Sequence, residues 1–228
     1  MAKQQQTLSK SAFIRSLQCL KSLYLYKNFY NLRDMPSREL LERFRQGMEI
    51  GKLAWQLFPG GIDLSPRSPF PSAIIKAAEK TSQKLSSYTN TIIYEASFIH
   101  QPTLIILDIL VKENGKLFAY EVKSSVNISQ TYIRDAAFQY YVMKNAAYQP
   151  EDFFMIHLKE TYDSRSQDVE CLRITNITEE VLELQPYIEE NVQLAIHAIS
   201  DSTLLEIQQG EHCQNPYPCD YMGYCSRH

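Results

Sequence analysis

LIILDILVKENGKLFAYEVKSS, residues 104–125, contains two apolar, β-branched runs on either side of Asn114-Gly115. An Asn-Gly pair between such runs is a strong signal for a β-hairpin with a two-residue turn. If these two residues form the turn, the register pairs Glu113 with Lys116, Leu110 with Ala119, and Asp108 with Glu121. The segment therefore predicts an antiparallel strand pair in which two carboxylates lie directly opposite each other.

The two facing carboxylates of this hairpin require an explanation, because facing side chains in such a pair are about 4.5–5.5 Å apart and like charges repel. Lys123 projects from the same face as Asp108 and Glu121. The other face is wholly apolar and consists of Leu107, Ile109, Val111, Phe118, Tyr120 and Val122. A solvated sheet face would explain strand acids, but Asp108 has aliphatic residues on both sides.

This pattern favours a divalent metal ion held by Asp108 and Glu121, with Lys123 beside it. Because the two acids repel each other without metal, removal of either should leave the stability of the metal-free protein unchanged or slightly higher.

Length and composition are those of an ordinary globular protein. The 228 residues are enough for one sizeable α/β domain. No apolar run approaches the roughly 18 residues of a membrane span, and the polar start of the chain lacks the apolar stretch of a secretion signal. We therefore expect a cytoplasmic protein with no membrane partner, whose cysteines are metal ligands or core residues.

The net charge of −3 is unevenly distributed. Residues 1–33 contain six basic residues and no acid, so the remainder sums to −9. A basic segment of this kind can contact nucleic-acid phosphates, and Lys10, Arg15 and Lys21 are the candidate contacts. The same residues could equally be the polar face of the first helix, and both interpretations remain open at this point.

Hydrophobic periodicity, together with the residues that typically start and end helices, predicts the other elements. A first helix is capped by Ser9 or Ser11 and reaches Tyr26. Further helices are predicted from after Ser37 to Phe58, after Pro71 to Ser87, over Ser129–Asn145, and over Glu179–Ile199 with a break at Pro186. Strands are predicted at 91–100, 152–158 and 169–174. The connection from Glu121 through a helix to the strand at 152–158 is typical of a right-handed parallel crossover.

The cysteines form a second candidate site. Cys213, Cys219 and Cys225 lie in thirteen residues near the end of the chain, and Cys19 lies near its start. Three clustered cysteines invite a fourth ligand, and Cys19 is our choice, whereas Cys171 fits a small core residue. Four thiolates suit either tetrahedral zinc or a [4Fe–4S] cluster. Histidines form no second centre, and the absence of a Gly-rich phosphate loop or a Ser/His/Asp order argues against an NTPase or acyl hydrolase.

Asp108 and Glu121-Val122-Lys123 resemble the signature of the PD-(D/E)XK nuclease superfamily, and the order of elements is similar to its core. The one-plus-three cysteines, and the opening LSKSAFIRSLQCLKSLYL at residues 8–25, resemble the iron–sulfur branch of RecB-like nucleases. That branch includes the CRISPR adaptation nucleases and AddB nuclease domains.

The resemblance implies a fold and a set of site residues. The fold would be an α/β, restriction-endonuclease-like core, a central mixed sheet flanked by helices. The chain would be one domain over residues 1–228, in which 1–33 and 205–228 form a metal-cluster subdomain around the core at 34–204. Asp108, Glu121 and the Val122 carbonyl would bind Mg²⁺ or Mn²⁺, with Lys123, Gln139 and Tyr141 as further catalytic residues. Cys19, Cys213, Cys219 and Cys225 would hold the cluster.

The chain also departs from the family pattern. The usual cysteine tail is nearer Cys-x2-Cys-x5-Cys, and Leu20 stands where a proline is common. At the place of a family metal-ligand histidine, the chain has Gly47-x3-Gly51. The metal site would then either lack one ligand or draw it from Glu95 or Glu49.

The function implied is a metal-dependent deoxyribonuclease in DNA repair, recombination or defence. It would act on DNA that is single-stranded or has free ends, and a helicase or another nuclease subunit is a possible partner. The alternative is a weak or inactive nuclease-fold module that binds DNA or a protein.

Overall fold

The computed structural model describes residues 7–68, 71–162, 168–200 and 206–227. These ranges contain a mixed α/β structure, a central sheet of seven strands flanked by helices. The strands are β1 Leu8–Ser9, β2 Ile62–Asp63, β3 Thr91–His100, β4 Thr103–Glu113, β5 Lys116–Lys123, β6 Asp152–Leu158 and β7 Leu172–Asn176. The helices are α1 Lys10–Gln18, α2 Leu20–Asn28, α3 Arg38–Ala54, α4 Pro71–Ser87, α5 Gln130–Asn145, α6 Thr178–Glu183, α7 Gln185–Ser200 and α8 Met222–Cys225. Within the described ranges, no helix combines the length and apolar character that crossing a bilayer requires.

The strands follow the order β2-β3-β4-β5-β6-β7, and β1 pairs in parallel with the start of β4. The central pairs β3–β4 and β4–β5 are antiparallel, whereas β5 and β6 are parallel and are connected through α5. The mixed sheet and the parallel β5–α5–β6 connection that the sequence predicted are confirmed.

The hairpin register is confirmed from the Glu113–Lys116 pair to the Ile109–Tyr120 pair. Glu113 pairs with Lys116 and Leu110 with Ala119. Asn114 and Gly115 have φ values of 50° and 82°, as a two-residue turn with two left-handed residues requires. The regular ladder ends at Ile109 and Tyr120, so Asp108 and Glu121 are the next residues along the two strands.

Both faces of the hairpin are covered by the rest of the chain. Ile109, Tyr120 and Val122 pack in an apolar cluster with α3. Leu110 and Ala119, on the same side as the charged residues, pack in a larger cluster with α1, α5 and α7. Leu107, expected on the other face, belongs to this larger cluster. The three charged side chains therefore lie under helices.

Four element boundaries differ from the sequence prediction. Helix α3, predicted to reach Phe58, ends at Ala54 and is followed by a 3₁₀ turn at Trp55–Leu57. The first helix is two helices, because Cys19 has extended backbone angles and separates α1 from α2. Residues Val169–Cys171 form a short 3₁₀ turn, so β7 begins only at Leu172. The break in the last long helix falls at Leu184. Pro186 lies in the first turn of α7, where a missing N–H costs no helix hydrogen bond.

The N- and C-terminal segments assigned to one subdomain contact each other. Arg15 forms a two-pronged ion pair with Asp220, at 2.6 and 3.0 Å. The Asp34 backbone N–H donates to the Asp220 carbonyl, and the Asp34 carboxylate accepts from Gly223 N–H. Residues 1–6, 205 and 228 of the proposed subdomain lie outside the described residues. The division into a core and a subdomain stays a prediction.

Candidate active site

Asp108 lies where the central strands lose their regular pairing. Its carboxylate Oδ2 accepts a 2.7 Å hydrogen bond from the backbone N–H of Val122, the residue after Glu121. Burial, followed by the nearby charge of Glu121, raises the pKa of Asp108 to about 8. At neutral pH, the metal-free site therefore holds a largely protonated Asp108 next to an ionised Glu121.

Glu121 is only 1% exposed, and side chains from three elements bond to it. Oε1 accepts from Lys123 Nζ at 2.6 Å and from Lys10 Nζ at 2.8 Å, while Oε2 accepts from Gln139 Nε2 at 2.7 Å. Burial alone would raise the pKa of Glu121, but the two ammonium groups outweigh it and hold that pKa well below its usual range. Glu121 is thus ionised throughout the physiological range.

Lys123 is held between two carboxylates. Its Nζ donates to Glu121 and, at 2.5 Å, to Asp135 Oδ2 on α5. Burial acts to lower the pKa of Lys123, but Asp135 and Glu121 reverse that effect and raise it well above its usual value. The ammonium group also lies 5.2 Å from the centre of the Tyr132 ring. Lys123 is therefore a fixed cation.

Lys10 is a second lysine of this site. It is the first residue of α1 and lies directly after β1, which pairs with β4 at Thr103 and Leu104. Stacking of Phe13 on Phe138, with ring centroids 4.3 Å apart, packs α1 against α5. These two attachments bring the Lys10 ammonium to Glu121, and it lies 4.0 Å from Asp135.

Gln139 lies at the site, as predicted, and Tyr141 does not. Asp135 and Gln139 are one helical turn apart on α5, so both face the hairpin. Tyr141 points elsewhere and meets His100 edge-on, with ring centroids 6.4 Å apart. Two buried oxygens, Asp135 Oδ1 and Gln139 Oε1, have no hydrogen-bond partner among the described residues. Orphaned buried acceptors of this kind are typical of a site that receives water, an ion or a ligand.

Glu95 borders the site in an unusual backbone conformation. It lies in β3 between Tyr94 and Ala96, which pair with Ile109 and Leu107 on either side of Asp108. Its φ of 55° is left-handed, which is rare for a strand residue that is not glycine. Burial, partly offset by Lys10, raises the pKa of the Glu95 carboxyl. Such local strain concentrates at functional sites, which supports Glu95 as a candidate ligand.

The alternative ligand Glu49 lies on the exposed face of α3, where it pairs with Arg45 at 2.7 Å. The glycines of α3 differ in their surroundings. A methyl group at Gly47 would be 4.0 Å from the Ser124 hydroxyl, directly after Lys123, whereas a methyl group at Gly51 would meet nothing within 4 Å. Helix α3 therefore approaches the end of β5 at Gly47.

The chemistry of the donors at the hairpin fits a hard divalent cation, because carboxylate and carbonyl oxygens are the ligands that Mg²⁺ and Mn²⁺ prefer. In the described part of the chain, no group of three or more His, Cys, Asp or Glu residues is placed to hold a metal ion. The ligands predicted from the sequence are Asp108, Glu121 and the Val122 carbonyl, and only two of these are acidic side chains. The Lys10 and Lys123 ammonium groups already neutralise Glu121, so an ion would have to compete with them.

The four cysteines chosen from the sequence line one cavity. Cys19, Cys213, Cys219 and Cys225 all border it, although Cys19 is far from the others in sequence. Cys219 N–H donates to the Cys213 carbonyl at 2.8 Å, and the Cys219 thiol donates to Ser22 Oγ at 3.5 Å. Burial raises the pKa of the Cys19 and Cys225 thiols. Cys171 is a buried core residue, as predicted.

The three basic residues predicted to contact phosphates have partners within the chain. Lys10 bonds to Glu121, and Arg15 bonds to Asp220 and Ser22. Lys21 is 9% exposed and lines the cysteine cavity, where its charge offsets part of the rise that burial causes in the pKa of Cys225. A role in DNA contact remains a prediction for all three.

No family model and no curated protein matches the sequence. The solved structures similar to the chain include one described as "Crystal structure of SSO0001", with a TM-score of 0.34 and 12% identity over 90% of each chain. An alkaline exonuclease from Laribacter hongkongensis has a TM-score of 0.34 and 9% identity, over 84% of this chain and 94% of that chain. At a TM-score of 0.34, neither likeness carries an argument about the activity.

Proposed function

We propose that the protein is a metal-dependent deoxyribonuclease of the RecB-like PD-(D/E)XK type, acting on DNA that is single-stranded or has free ends. The observation that carries the proposal is the convergence of Asp108, Glu121 and Lys123 in one buried cluster. A structural role alone does not require an acid with a pKa of about 8 beside a second, ionised acid.

In this proposal, Asp108, Glu121 and the carbonyl of Val122 hold the metal ion, with Glu95 as a further carboxylate. A bound Mg²⁺ or Mn²⁺ lowers the pKa of a coordinated water and offsets the charge that develops on the phosphate.

The remaining residues orient the reacting groups and neutralise negative charge. Lys123 donates to the attacking water or to the phosphate, and Asp135 keeps its ammonium directed at the site. Gln139 fixes the second oxygen of Glu121, which limits how that carboxylate can turn. Lys10 supplies a second positive charge beside the same carboxylate, where a phosphodiester brings negative charge.

Methionine in place of Lys123 should lower the rate of Mn²⁺-dependent cleavage of single-stranded DNA by about 10²–10³-fold, because a positioned donor at the reacting phosphate is lost. The measurement is cleavage of an end-labelled oligonucleotide, with chelator as the blank. Lys112→Met is the matched control, because that lysine bonds to the Leu85 carbonyl, away from the acids. Equal rates for the two variants would remove Lys123 from the mechanism.

We also propose that the four cysteines hold a [4Fe–4S] cluster, with structural zinc as the alternative. The four cysteines line a common cavity, although no group of three or more His, Cys, Asp or Glu residues in the described ranges is placed to hold a metal ion. Lys21 beside the cavity offsets part of the negative charge of four thiolates.

Protein purified without oxygen should be brown, contain iron and absorb broadly near about 400 nm, as expected for thiolate-bound iron. Cys171→Ser should keep the iron, whereas Cys219→Ser should lose it. A colourless protein with stoichiometric zinc would replace the cluster with a zinc site. Loss of iron in Cys171→Ser would contradict the choice of Cys19.

The second candidate function is a nuclease-fold module without efficient catalysis that binds DNA or a protein partner such as a helicase. One observation favours it: both oxygens of Glu121 already have donors from the protein. An unchanged protein that binds DNA but cleaves none with Mg²⁺ or Mn²⁺ would establish this alternative.

A further inference from the structure

A separate cavity lies beside the candidate active site. Its volume is about 290 Å³, and residues of α1, the start of α5 and the segment from His212 to Pro216 line it. The apolar part consists of Ile14, Leu17 and Pro216, and the polar part includes Gln18, Arg134 and His212. This volume is at the lower end of the roughly 300–1,000 Å³ typical of small-molecule sites, so it suits one nucleotide unit better than a duplex.

Charge distinguishes this cavity from an ordinary surface cleft. Arg134 Nε is buried and has no hydrogen-bond partner in the described part of the chain. The guanidinium lies 5.3 Å over the Tyr187 ring, and no described carboxylate pairs with it. The described lining includes the imidazole of His212 and no acid. A guanidinium whose buried Nε lacks a hydrogen-bond partner favours an anionic ligand, and its fork geometry suits phosphate.

The cavity is connected to the catalytic lysine through two tyrosines. Tyr132, between Thr131 and Arg134 on α5, holds its ring against the Lys123 ammonium. Tyr217, the neighbour of Pro216, lies near Tyr132 and Lys123, and, in addition to burial, both groups influence its pKa. Arg134 directly precedes Asp135, the partner of Lys123. A DNA strand whose phosphodiester lies at Lys123 would therefore have its neighbouring nucleotide close to this cavity.

We propose that the cavity binds one nucleotide of a single DNA strand, with Arg134 on its phosphate and the apolar wall against its sugar or base. The proposal rests on the proposed nuclease function, because it places the cavity next to the phosphodiester that is cut. Arg134 would be a substrate-binding residue that the reaction itself does not use.

The test compares Arg134→Gln with Arg173→Gln, which removes an exposed arginine of β7. Binding of thymidine 5′-monophosphate to the full-length protein is measured by calorimetry in the absence of divalent metal. Arg134→Gln should weaken this binding at least about 10-fold, because a charge-assisted hydrogen bond is lost, and Arg134→Lys should lie between it and the unchanged protein. Arg173→Gln should have no effect.

Kinetics give the second readout. On oligothymidylate, Arg134→Gln should raise KM about 10-fold with little change in kcat, while hydrolysis of bis(p-nitrophenyl) phosphate, which has no nucleoside, should be unchanged. Equal loss on both substrates would mean that Arg134 acts only through the fold, and unchanged nucleotide binding would also overturn the proposal. If the unchanged protein cleaves neither substrate, the proposed nuclease function fails, whereas nucleotide binding still decides about the cavity. If Arg134→Gln does not fold, Arg134→Lys decides by the same measurements.

Discussion

Glutamine in place of Glu121 should abolish metal-dependent DNA cleavage and also destabilise the metal-free protein. Loss of cleavage follows because the neutral amide is a poor ligand for a hard cation. Loss of stability follows because the Lys10 and Lys123 ammonium groups, 27% and 17% exposed, lose the carboxylate between them. Removing one partner of a buried ion pair costs about 3–5 kcal/mol. We expect about 3 kcal/mol here, or a decrease of about 10 °C in Tm.

Asparagine in place of Asp108 should abolish cleavage as well, but it should stabilise the metal-free protein. The pKa of Asp108 rises to about 8 on folding, so the folded chain binds a proton that the unfolded chain releases above about pH 4. The free energy of unfolding of the unchanged protein therefore falls as pH rises from about 4 to about 8. The amide of Asp108→Asn has no proton to lose, so the advantage of this variant should grow across the same range and then level off.

The sequence alone predicted that removing either acid would leave stability equal or higher, whereas the structure predicts opposite signs. Thermal unfolding of both variants in chelator, at pH 5 and pH 8, measures the difference. The lysines that bond to Glu121 are the reason for the change, so Lys10→Met combined with Glu121→Gln should cost less than the two separate costs added. Equal stabilities for the two acid variants would contradict this account of the charges.

Loss of the proposed cysteine-bound metal centre should have the second large effect. Cys19 caps the end of α1, and the clustered cysteines lie about 200 residues further along the chain. Closing a loop of roughly 100 residues is worth about 4.7 kcal/mol by analogy with disulfides, against a total domain stability of about 5–15 kcal/mol. Cys19→Ser, or removal of iron by a chelator, should therefore destabilise the terminal segments strongly.

Loss of the cysteine centre should also affect the candidate active site, because α1 links the two. Helix α1 carries Lys10 at one end and leads to Cys19 at the other, and Gln18 binds the carbonyls of His212 and Tyr217. When the cysteine centre is lost, α1 should loosen and Lys10 should leave Glu121. Cleavage should then decrease although the cysteines take no part in the chemistry.

Hydrogen exchange before and after iron removal measures this effect. Protection should fall over residues 7–28 and 206–227 and persist in the hairpin of β4 and β5, whose apolar residues pack on both sides. Cys171→Ser is the control and should leave exchange unchanged. Undiminished protection of both terminal segments after iron loss would show that the cysteines do not join them.

The local features of this chain could be predicted from the sequence because their causes are local. The Asn114-Gly115 turn sets the hairpin register through the backbone angles of two residues. Alternation along the strands places Asp108, Glu121 and Lys123 on one side, and helical spacing places Gln139 one turn after Asp135. The selection of Cys19 over Cys171 also agrees with the cavity lining, because the strand-like, apolar surroundings of Cys171 are typical of a core residue.

Only the tertiary structure decided which distant groups meet. Lys10 reaches Glu121 across 111 residues of sequence because β1 pairs with β4 and Phe13 stacks on Phe138. The sequence marked Lys10 as basic but carried no signal of that contact. Tyr141 lies two residues after Gln139, about 200° further around α5, so the two side chains cannot both face the hairpin, and only the packing of α5 shows that Gln139 does. Hydrophobic patterning indicates which face of a helix or strand is buried. Which other helix or strand covers that face depends on the packing of the whole chain.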